Sequence, residues 1–289
     1  MIRRLLALMV LVCGMAGTAS ALMIAPPPPG QRIATAQVVI VGKVTKVSEK
    51  AVAAEMFKGD GRQMSIVTLK VDQTLLGKPG KEIQVGLVLP PPPPPPGAPR
   101  LSSRGLFVQL VVDQEALLML QPHPTKKGVM VPTDFFGVIN KQGNPNFANE
   151  LAEIKKSTQM LNNRMAGLKS KDANERFLTT ALLITRYRTP MPGSTAATEK
   201  VPLQESKLIL ENLAEVDWKS ANEGRMGFAM TPQSLFFRLE LQPSDGWKQP
   251  TDFAKVPEAA KEWLKANAGK YQLKAFPRPA LESIADPEP

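Results

Sequence analysis

Cysteine is nearly absent from the chain, and the single one lies in a segment that we expect to be removed. Cys13 belongs to an N-terminal stretch in which basic residues 3–4 precede apolar residues 5–12 and small residues 19–21. This order is typical of a secretory signal peptide, so we expect cleavage near Ala21 and a secreted or periplasmic protein. The processed chain then has no thiol, so no disulfide can form and apolar burial must supply its stability.

Histidine is equally scarce, which removes most familiar catalytic and metal sites. The one histidine, His123, stands between two prolines in a predicted turn, and no G-x-S-x-G sequence accompanies it. Thiolate or multi-histidine zinc sites and Cys-His nucleophiles are therefore excluded. The phosphate-binding patterns G-x-x-x-x-G-K-S/T and G-x-G-x-x-G are also absent. The sequence predicts no cofactor, no metal and no enzyme, although any two of the 26 acidic residues could meet as a carboxylate pair.

Long hydrophobic runs are missing as well. A bilayer-spanning helix needs roughly 20 consecutive apolar residues, and the apolar part of the leader is much shorter than that. Val12 is also larger than the small residue expected before a lipoprotein cysteine. We therefore expect neither a membrane span nor a lipid anchor.

The first half of the chain has the residue pattern of strands. Apolar residues alternate with polar ones in residues 65–72 and 82–89, which is typical of half-buried strands. Further strands are predicted from β-branched and aliphatic runs at residues 36–47, 116–120 and 129–139. Five strands in this length favour a small closed barrel, because closure removes exposed edges that would otherwise aggregate.

Proline is concentrated in two runs. Seven consecutive prolines, Pro90 to Pro96, follow the third predicted strand. We predict that residues 90–113 form a loop within the barrel, made stiff by a polyproline conformation that rises about 3.1 Å per residue. The shorter run from Pro26 to Pro29 predicts a similar stiff tether over residues 22–33.

The predicted barrel resembles a known family. The segments AQVVIVGKV, VDQTLLGK and VVDQEALLML occur in the order found in secreted bacterial domains with the barrel of netrin modules and tissue inhibitors of metalloproteinases. The resemblance covers residues 34–140 and implies an oligonucleotide/oligosaccharide-binding (OB) type barrel. The animal inhibitors chelate zinc through a mature N-terminal cysteine. Leu22 stands at that place here, so the resemblance does not extend to the inhibitory mechanism.

The second half of the chain has helical periodicity. The pattern predicts helices in residues 146–168 and in residues 173–188, the latter capped by Asp172. Further helices are predicted to start at Pro202, Pro232 and Pro257. Residues 168–188 resemble the second helix of a HEAT repeat, and the chain as a whole resembles secreted proteins of planctomycete-like bacteria. We predict an α+β fold in two parts, with the OB-like barrel over residues 34–145, a helical domain over 146–280 and a disordered tail over 281–289.

The basic residues give the sharpest prediction of a site. The net charge is +10, and the excess lies mainly in the first half of the chain. Barrels of this type bind ligands beside the loop after the first strand and the loop between the fourth and fifth. Those loops and the proline-rich loop carry the candidate ligand residues Lys50, Lys58, Arg62, Arg100, Arg104, Lys126 and Lys127.

These observations predict a secreted, non-enzymatic binding or scaffold module. Its expected partner is an extracytoplasmic protein or an anionic polymer such as an acidic polysaccharide, with nucleic acid disfavoured. The alternative is a hydrolase or protease-inhibitor-like protein that acts on extracellular polymers.

Overall fold

The structure, a computed structural model, describes residues 27–91, 107–218 and 230–278. The leader, the segment with Arg100 and Arg104, and the predicted tail lie outside these residues. The strands are β1 Val38–Val47, β2 Val52–Ala53, β3 Gln63–Leu76, β4 Glu82–Val88, β5 Glu115–Pro122, β6 Val129–Pro132, β7 Val138–Asn140, β8 Glu199–Lys200 and β9 Lys274–Ala275.

Five of these strands close into a barrel. β1 pairs antiparallel with β3 and with β5, β3 pairs with β4, and β5 pairs with β6. The parallel pairing of β4 with β6 completes the circle. The short strands β2 and β7 extend the ladder along β3 and β5. This confirms the predicted OB-like barrel in the first half of the chain.

The first strand bends tightly against its neighbour at Gly42. A Cβ atom at this position would lie 2.7 Å from the backbone carbonyl oxygen of Lys70 on β3. The register between the two strands also shifts between Val41 and Gly42. Only glycine allows the two backbones to approach this closely, so this position permits the barrel to close.

The barrel and the helices share apolar packing through both faces of β1 and β5. On β1, Ile40 points into the barrel core, whereas its neighbour Val39 packs against the helices. On β5, Leu118 faces inward, and Leu117 and Met119 face the helices. The continuous apolar runs in these two strands follow from burial on both sides.

The last predicted strand, over residues 129–139, is interrupted. β6 ends at Pro132 and β7 begins at Val138, with a turn between them. In that turn the side-chain carboxylate of Asp134 accepts a hydrogen bond from the Phe136 N–H at 2.8 Å, and the Asp134 carbonyl accepts one from the Gly137 N–H at 3.1 Å. An aspartate that bonds the backbone two residues ahead is a common turn former, and here it breaks the strand.

Seven helices are described: α1 Pro29–Arg32, α2 Phe147–Asn162, α3 Arg164–Leu168, α4 Ala173–Arg188, α5 Leu203–Glu215, α6 Pro232–Arg238 and α7 Val256–Asn267. The predicted helix over residues 146–168 is divided at Asn163, whose backbone leaves the helical region. Asp172 caps α4 as predicted, with its side chain accepting a hydrogen bond from the Asn174 N–H. No described helix is long and apolar enough to cross a membrane.

The described part of the predicted tether is folded. Pro29–Arg32 form a helical turn next to α2, and a Cβ on Gly30 would lie only 2.4 Å from the Ser157 hydroxyl. Ile33, which follows it, is fully buried. These residues pack as part of the domain because the apolar Ile33 and the small Gly30 let the chain lie flat on α2.

Two half-buried arginines connect the chain before β1 to the C-terminal end of α4. Arg186 donates to the Ala36 carbonyl at 2.6 Å. Arg278 donates to the Thr35 carbonyl at 3.1 Å and to the Arg186 carbonyl at 2.9 Å. Burial, reinforced by the neighbouring Arg186 charge, lowers the pKa of Arg278 to about 10. We refer to Arg186 and Arg278 as the arginine clip.

An aromatic cluster forms the centre of the C-terminal helices. Phe236 lies at its middle, with ring centroids 4.7 Å from Trp247, 6.0 Å from Trp218 and 6.0 Å from Trp263. The rings meet edge to face or tilted, which are the favoured arrangements for aromatic pairs. β8 and β9, which the sequence did not predict, form a separate two-stranded sheet in this half of the chain.

Candidate functional site

A cleft of about 230 Å³ opens at one end of the barrel. Its walls come from the loop of residues 48–62, the end of β4, the end of β6 and the turn over residues 133–137. Phe107 and Val108, which lead into β5, complete the wall. Most of the lining side chains are apolar, and the polar ones are Arg62, Gln121, Thr133 and Asp134.

The cleft exists because the pairing of β4 with β6 stops early. The parallel ladder contains only Gln84 with Val129 and Val85 with Met130. To extend it, the residue at position 132 would have to donate an N–H to the Gly86 carbonyl, and Pro132 has none. The two strands therefore line opposite walls beyond this point, with Gly86 and Val88 on the β4 side.

Some backbone hydrogen-bonding groups of β4 face the cleft, because the direction of these groups alternates from one residue to the next. The Leu89 N–H donates to the Gln63 carbonyl on β3 at 2.8 Å, and the Lys81 carbonyl accepts from the Val71 N–H at 2.8 Å. The backbone N–H and carbonyl groups of the odd-numbered residues of β4 therefore form hydrogen bonds with β3. Even-numbered residues face the other side, because backbone groups alternate along a strand. The Gly86 carbonyl and the backbone groups of Val88 therefore face the cleft, whereas the Gly86 N–H belongs to the ladder with β6.

Two exposed phenylalanines lie in the segments that form the cleft walls. Phe135, in the turn, lines the cleft and is 54% exposed. Phe57, in the loop of residues 48–62, is 62% exposed, and the Arg62 guanidinium lies over its ring at 5.3 Å from the centroid. An exposed phenylalanine costs free energy in water, so Phe135 on a concave, mostly apolar surface is typical of a binding site.

Asp60 holds the loop of residues 48–62 in shape. Its carboxylate accepts hydrogen bonds from the Met56 N–H at 3.0 Å, the Arg62 N–H at 3.1 Å and the Arg62 guanidinium at 2.8 Å and 3.0 Å. The side chain is only 1% exposed. The Arg62 guanidinium first, and the two backbone N–H groups after it, hold the pKa of Asp60 well below its usual range.

We expect Asp60→Asn to lower the melting temperature at neutral pH, because the amide cannot accept the paired guanidinium bonds. A carboxyl group whose pKa falls on folding stabilises the native state above its unfolded pKa, here 3.8, and the stabilisation is lost as the pH falls further. The melting temperatures of variant and parent should therefore converge in strong acid. Thermal unfolding followed by circular dichroism across this pH range checks it, with the exposed Asp72→Asn as control. A constant difference at every pH would contradict the role of the Asp60 charge.

Among the predicted ligand residues that the structure describes, Arg62 and Lys50 line different pockets. Arg62 lines the cleft, whereas Lys50 lines a separate groove on the outer face of the barrel. Lys126 pairs with Glu55 at 2.7 Å, which lowers the pKa of that carboxyl group. Lys58 and Lys127 are exposed. Arg62 and Lys126 are thus engaged within the protein, and Arg100 and Arg104 lie outside the described residues.

The two loops that the sequence predicted as ligand loops do meet, through the one histidine. His123 is buried, and its Nε2 lies 2.6 Å from the Ala54 carbonyl oxygen. Its Nδ1 accepts hydrogen bonds from the Thr125 N–H at 3.1 Å and the Lys126 N–H at 3.0 Å. We call this arrangement the histidine latch, because it joins residues 123–128 to the loop of residues 48–62.

Asp134 is the carboxylate that lines the cleft. Burial raises its pKa, and the Phe136 N–H and the nearby Arg32 charge offset this only in part. No group of three or more histidine, cysteine, aspartate or glutamate side chains in the described parts of the chain could hold a metal ion. What the cleft offers a ligand is apolar surface, backbone hydrogen-bonding groups and one carboxylate.

Sequence reasoning missed the residues that shape the cleft. Phe135 was predicted on a strand, and Phe57 carried no signal beyond its position in a loop. Asp60 stands between two glycines, which marks a turn but does not reveal its paired bonds to Arg62. The one informative signal was Pro132, because a proline inside a predicted strand indicates a place where pairing ends.

Comparison with known proteins does not assign the chain to a family. The chain matches no protein-family model, and the search of curated proteins returns no significant match.

Proposed function

We propose that the protein is a secreted, non-enzymatic binding module that holds an extended segment of a protein partner in the cleft at the barrel end. The observation that carries the proposal is the open side of β4, where Gly86 and Val88 turn their backbone groups toward an apolar cleft. An extended peptide that adds a strand here would bond to these groups through its main chain.

The side chains around the open strand support the same kind of ligand. Alternate side chains of a bound strand would point toward the barrel end, where Phe107, Val131 and Phe135 supply apolar contacts. Phe135 would lose its exposure to water on binding, which contributes free energy in proportion to the area covered. Aromatic side chains in such positions commonly dominate the energy of protein interfaces.

The charges near the cleft favour a peptide over a polyanion. Arg62 is neutralised by Asp60, and the cleft wall also carries the carboxylate of Asp134. Polyanion binding depends on cations that can replace the counterions of the polymer. The exposed Lys50, Lys58 and Lys127 keep an anionic polymer as a second candidate, but they lie outside the cleft lining.

The family and the location are part of the proposal. We propose that the barrel is related to the netrin and metalloproteinase-inhibitor modules, that the helical part is related to HEAT repeats, and that the chain is exported with cleavage near Ala21. The OB-like strand order supports the first of these. Inhibition by zinc chelation is not proposed, because no cysteine follows the expected cleavage point.

Selection from a random peptide library displayed on phage, with the processed protein as bait, tests the proposal. We expect enriched peptides with alternating apolar residues, and we expect Phe135→Ser to weaken their affinity about tenfold, which corresponds to about 1.4 kcal/mol. Fluorescence polarisation with a labelled selected peptide gives the affinity. Phe253→Ser is the matched control, since Phe253 is 61% exposed but belongs to the helical half.

Two outcomes would reject this reading. If no peptide is enriched, or if Phe135→Ser and Phe253→Ser weaken binding equally, the cleft is not the peptide site. Retention on heparin at low salt that is lost when Lys50, Lys58 and Lys127 are changed to glutamate would favour the anionic polymer instead.

A further inference from the structure

The first described residues of the chain lie beside the cleft. The Pro27 carbonyl accepts a hydrogen bond from Arg32 Nε at 2.8 Å. The Arg32 guanidinium in turn lies over the Phe136 ring, 5.8 Å from its centroid. Phe136 directly follows Phe135, which lines the cleft, and Asp134 of the same turn is close enough to interact electrostatically with Arg32. The residues ahead of Pro27 therefore start from a point next to the cleft wall.

The five residues ahead of Pro27 suit an apolar cleft. We call residues 22–26, with the sequence LMIAP, the N-terminal segment. It has no charged side chain, and every residue in it except the proline has a backbone N–H that can pair with a strand. The prolines at its end favour an extended backbone in the residues before them. Five extended residues span about 16 Å, which is long enough to cross a cleft of about 230 Å³.

The open side of β4 offers the groups that an added strand requires. The Gly86 carbonyl and the backbone groups of Val88 face the cleft, and a strand laid beside them would form hydrogen bonds with both. Alternate residues of a strand point to the same side, so Leu22 and Ile24 would contact the same apolar wall. Because both side chains are apolar, their burial there would stabilise the bound strand.

Attachment to the fold favours this segment over a free ligand. A ligand held by a short linker is present at an effective concentration in the millimolar range. The N-terminal segment is attached directly at Pro27, next to the cleft. The other segment that borders the cleft joins Pro91 to Phe107, and the prolines at its start have no N–H to donate to a strand. The N-terminal segment is therefore the better partner for β4.

We propose that the N-terminal segment of the processed chain binds in the cleft as an added strand on β4, and that a partner peptide must displace it. The displacement rests on the proposed function, and the position of the segment at the start of the chain rests on the expected cleavage near Ala21. The occupancy of the cleft does not depend on any partner.

Disulfide trapping tests the occupancy without any peptide. The processed chain has no cysteine, so two introduced cysteines report their proximity without background. Val88→Cys is combined with Ile24→Cys in one variant and with Met23→Cys in another, because neighbouring residues of a strand point to opposite faces. In a glutathione buffer we expect at least one pair to form an intramolecular disulfide, with a closure constant at least about tenfold above that of the control.

Glu82→Cys, combined with the same cysteines of the segment, is the matched control. Glu82 is exposed and lies on the same strand, about 20 Å from Val88. Closure that is no greater with Val88→Cys than with Glu82→Cys, in both registers, would overturn the proposal. Disulfide-linked dimers in place of intramolecular bonds would overturn it as well, because they would assign the cleft to a second copy. The mass of the exported protein would do the same if it showed a chain that begins beyond Pro26.

Removal of the segment tests the displacement. A chain that starts at Pro27 should bind a selected peptide at least about tenfold more tightly than the processed chain, because apparent affinity is reduced to the fraction of molecules whose cleft is open. The double variant Leu22→Ser with Ile24→Ser keeps the chain length and should give a similar gain. Fluorescence polarisation compares the three chains. Equal affinities would show that the segment does not compete for the cleft and would overturn the proposal.

The two proposals fail in different ways. Tight peptide binding that is equal in all three chains, without trapping at Val88, would remove the N-terminal segment from the cleft and leave the proposed function in place. Trapping at Val88 in a protein whose truncated chain binds no peptide would keep the segment in the cleft and remove the peptide-binding function.

Discussion

Replacing Phe236 by alanine is expected to lower the free energy of unfolding by about 3–5 kcal/mol. The ring is 1% exposed and contacts three tryptophans. Its removal leaves a cavity that these large, edge-on rings cannot fill without losing their own contacts. The loss of apolar burial and the cavity therefore act in the same direction.

Chemical denaturation followed by tryptophan fluorescence measures this effect directly, because all three tryptophans lie in the cluster. Phe237→Ala is the control, since this neighbouring ring is 37% exposed and should cost much less when removed. Equal losses in the two variants would show that the cluster is not the packed centre of the helical half.

Gly42→Ala is expected to destabilise the barrel by about 3 kcal/mol. The added methyl group would lie 2.7 Å from the Lys70 carbonyl oxygen, which belongs to the backbone of a paired strand and cannot move aside. β1 and β3 must then separate at this position, next to a shift in their register. Because β1 also pairs with β5, the strain reaches both sides of the closure.

Gly61→Ala isolates the steric effect from the general effect of replacing glycine. No atom outside its immediate neighbours lies within 4 Å of a Cβ at Gly61. Its unfolding free energy, measured in the same urea titration, should remain within about 0.5 kcal/mol of the parent. A similar loss in both variants would show that the cost does not come from the contact with the Lys70 carbonyl, because the lower backbone entropy of an unfolded chain with alanine favours folding.

The barrel was predictable because its strands follow the rule of alternating burial. Val67 and Leu69 on β3, and Ile83 and Val85 on β4, point inward, with polar residues between them. The helical half was equally readable from its caps, of which Asp172 and Thr231 both bond to the first turn. Alternating burial and helix caps both depend on residues that are close together in sequence, so the sequence pattern predicts them.

The sequence predicted the strands that pack against the helices, but not the contacts between the barrel and the helices. The run of apolar residues in β5 predicted a strand, but not that the helices cover its outer face. The arginine clip left no pattern at all, since its acceptors are backbone carbonyls and any residue can supply them.

The cleft could not be predicted, because it is formed by the ends of several segments and not by any one of them. Its opening depends on a donor that Pro132 does not have, opposite Gly86 on a strand far away in sequence. The loops that sequence reasoning chose do approach one another, but their attachment runs through His123, whose role depends on the carbonyl of Ala54. Every residue has a backbone carbonyl, so the sequence does not show which one accepts the hydrogen bond.

The arginine clip also joins parts of the chain that are far apart in sequence. The hydrogen bond from Arg278 to the Thr35 carbonyl joins residues 243 positions apart, one directly ahead of the first barrel strand. During synthesis the barrel strands are complete long before Arg278 leaves the ribosome, so the carbonyls of Thr35 and Arg186 must wait for their donor. Contacts of such long sequence separation slow folding, because the loop they close must be ordered first. The complete set of contacts ahead of β1 therefore forms only after residue 278 has been translated.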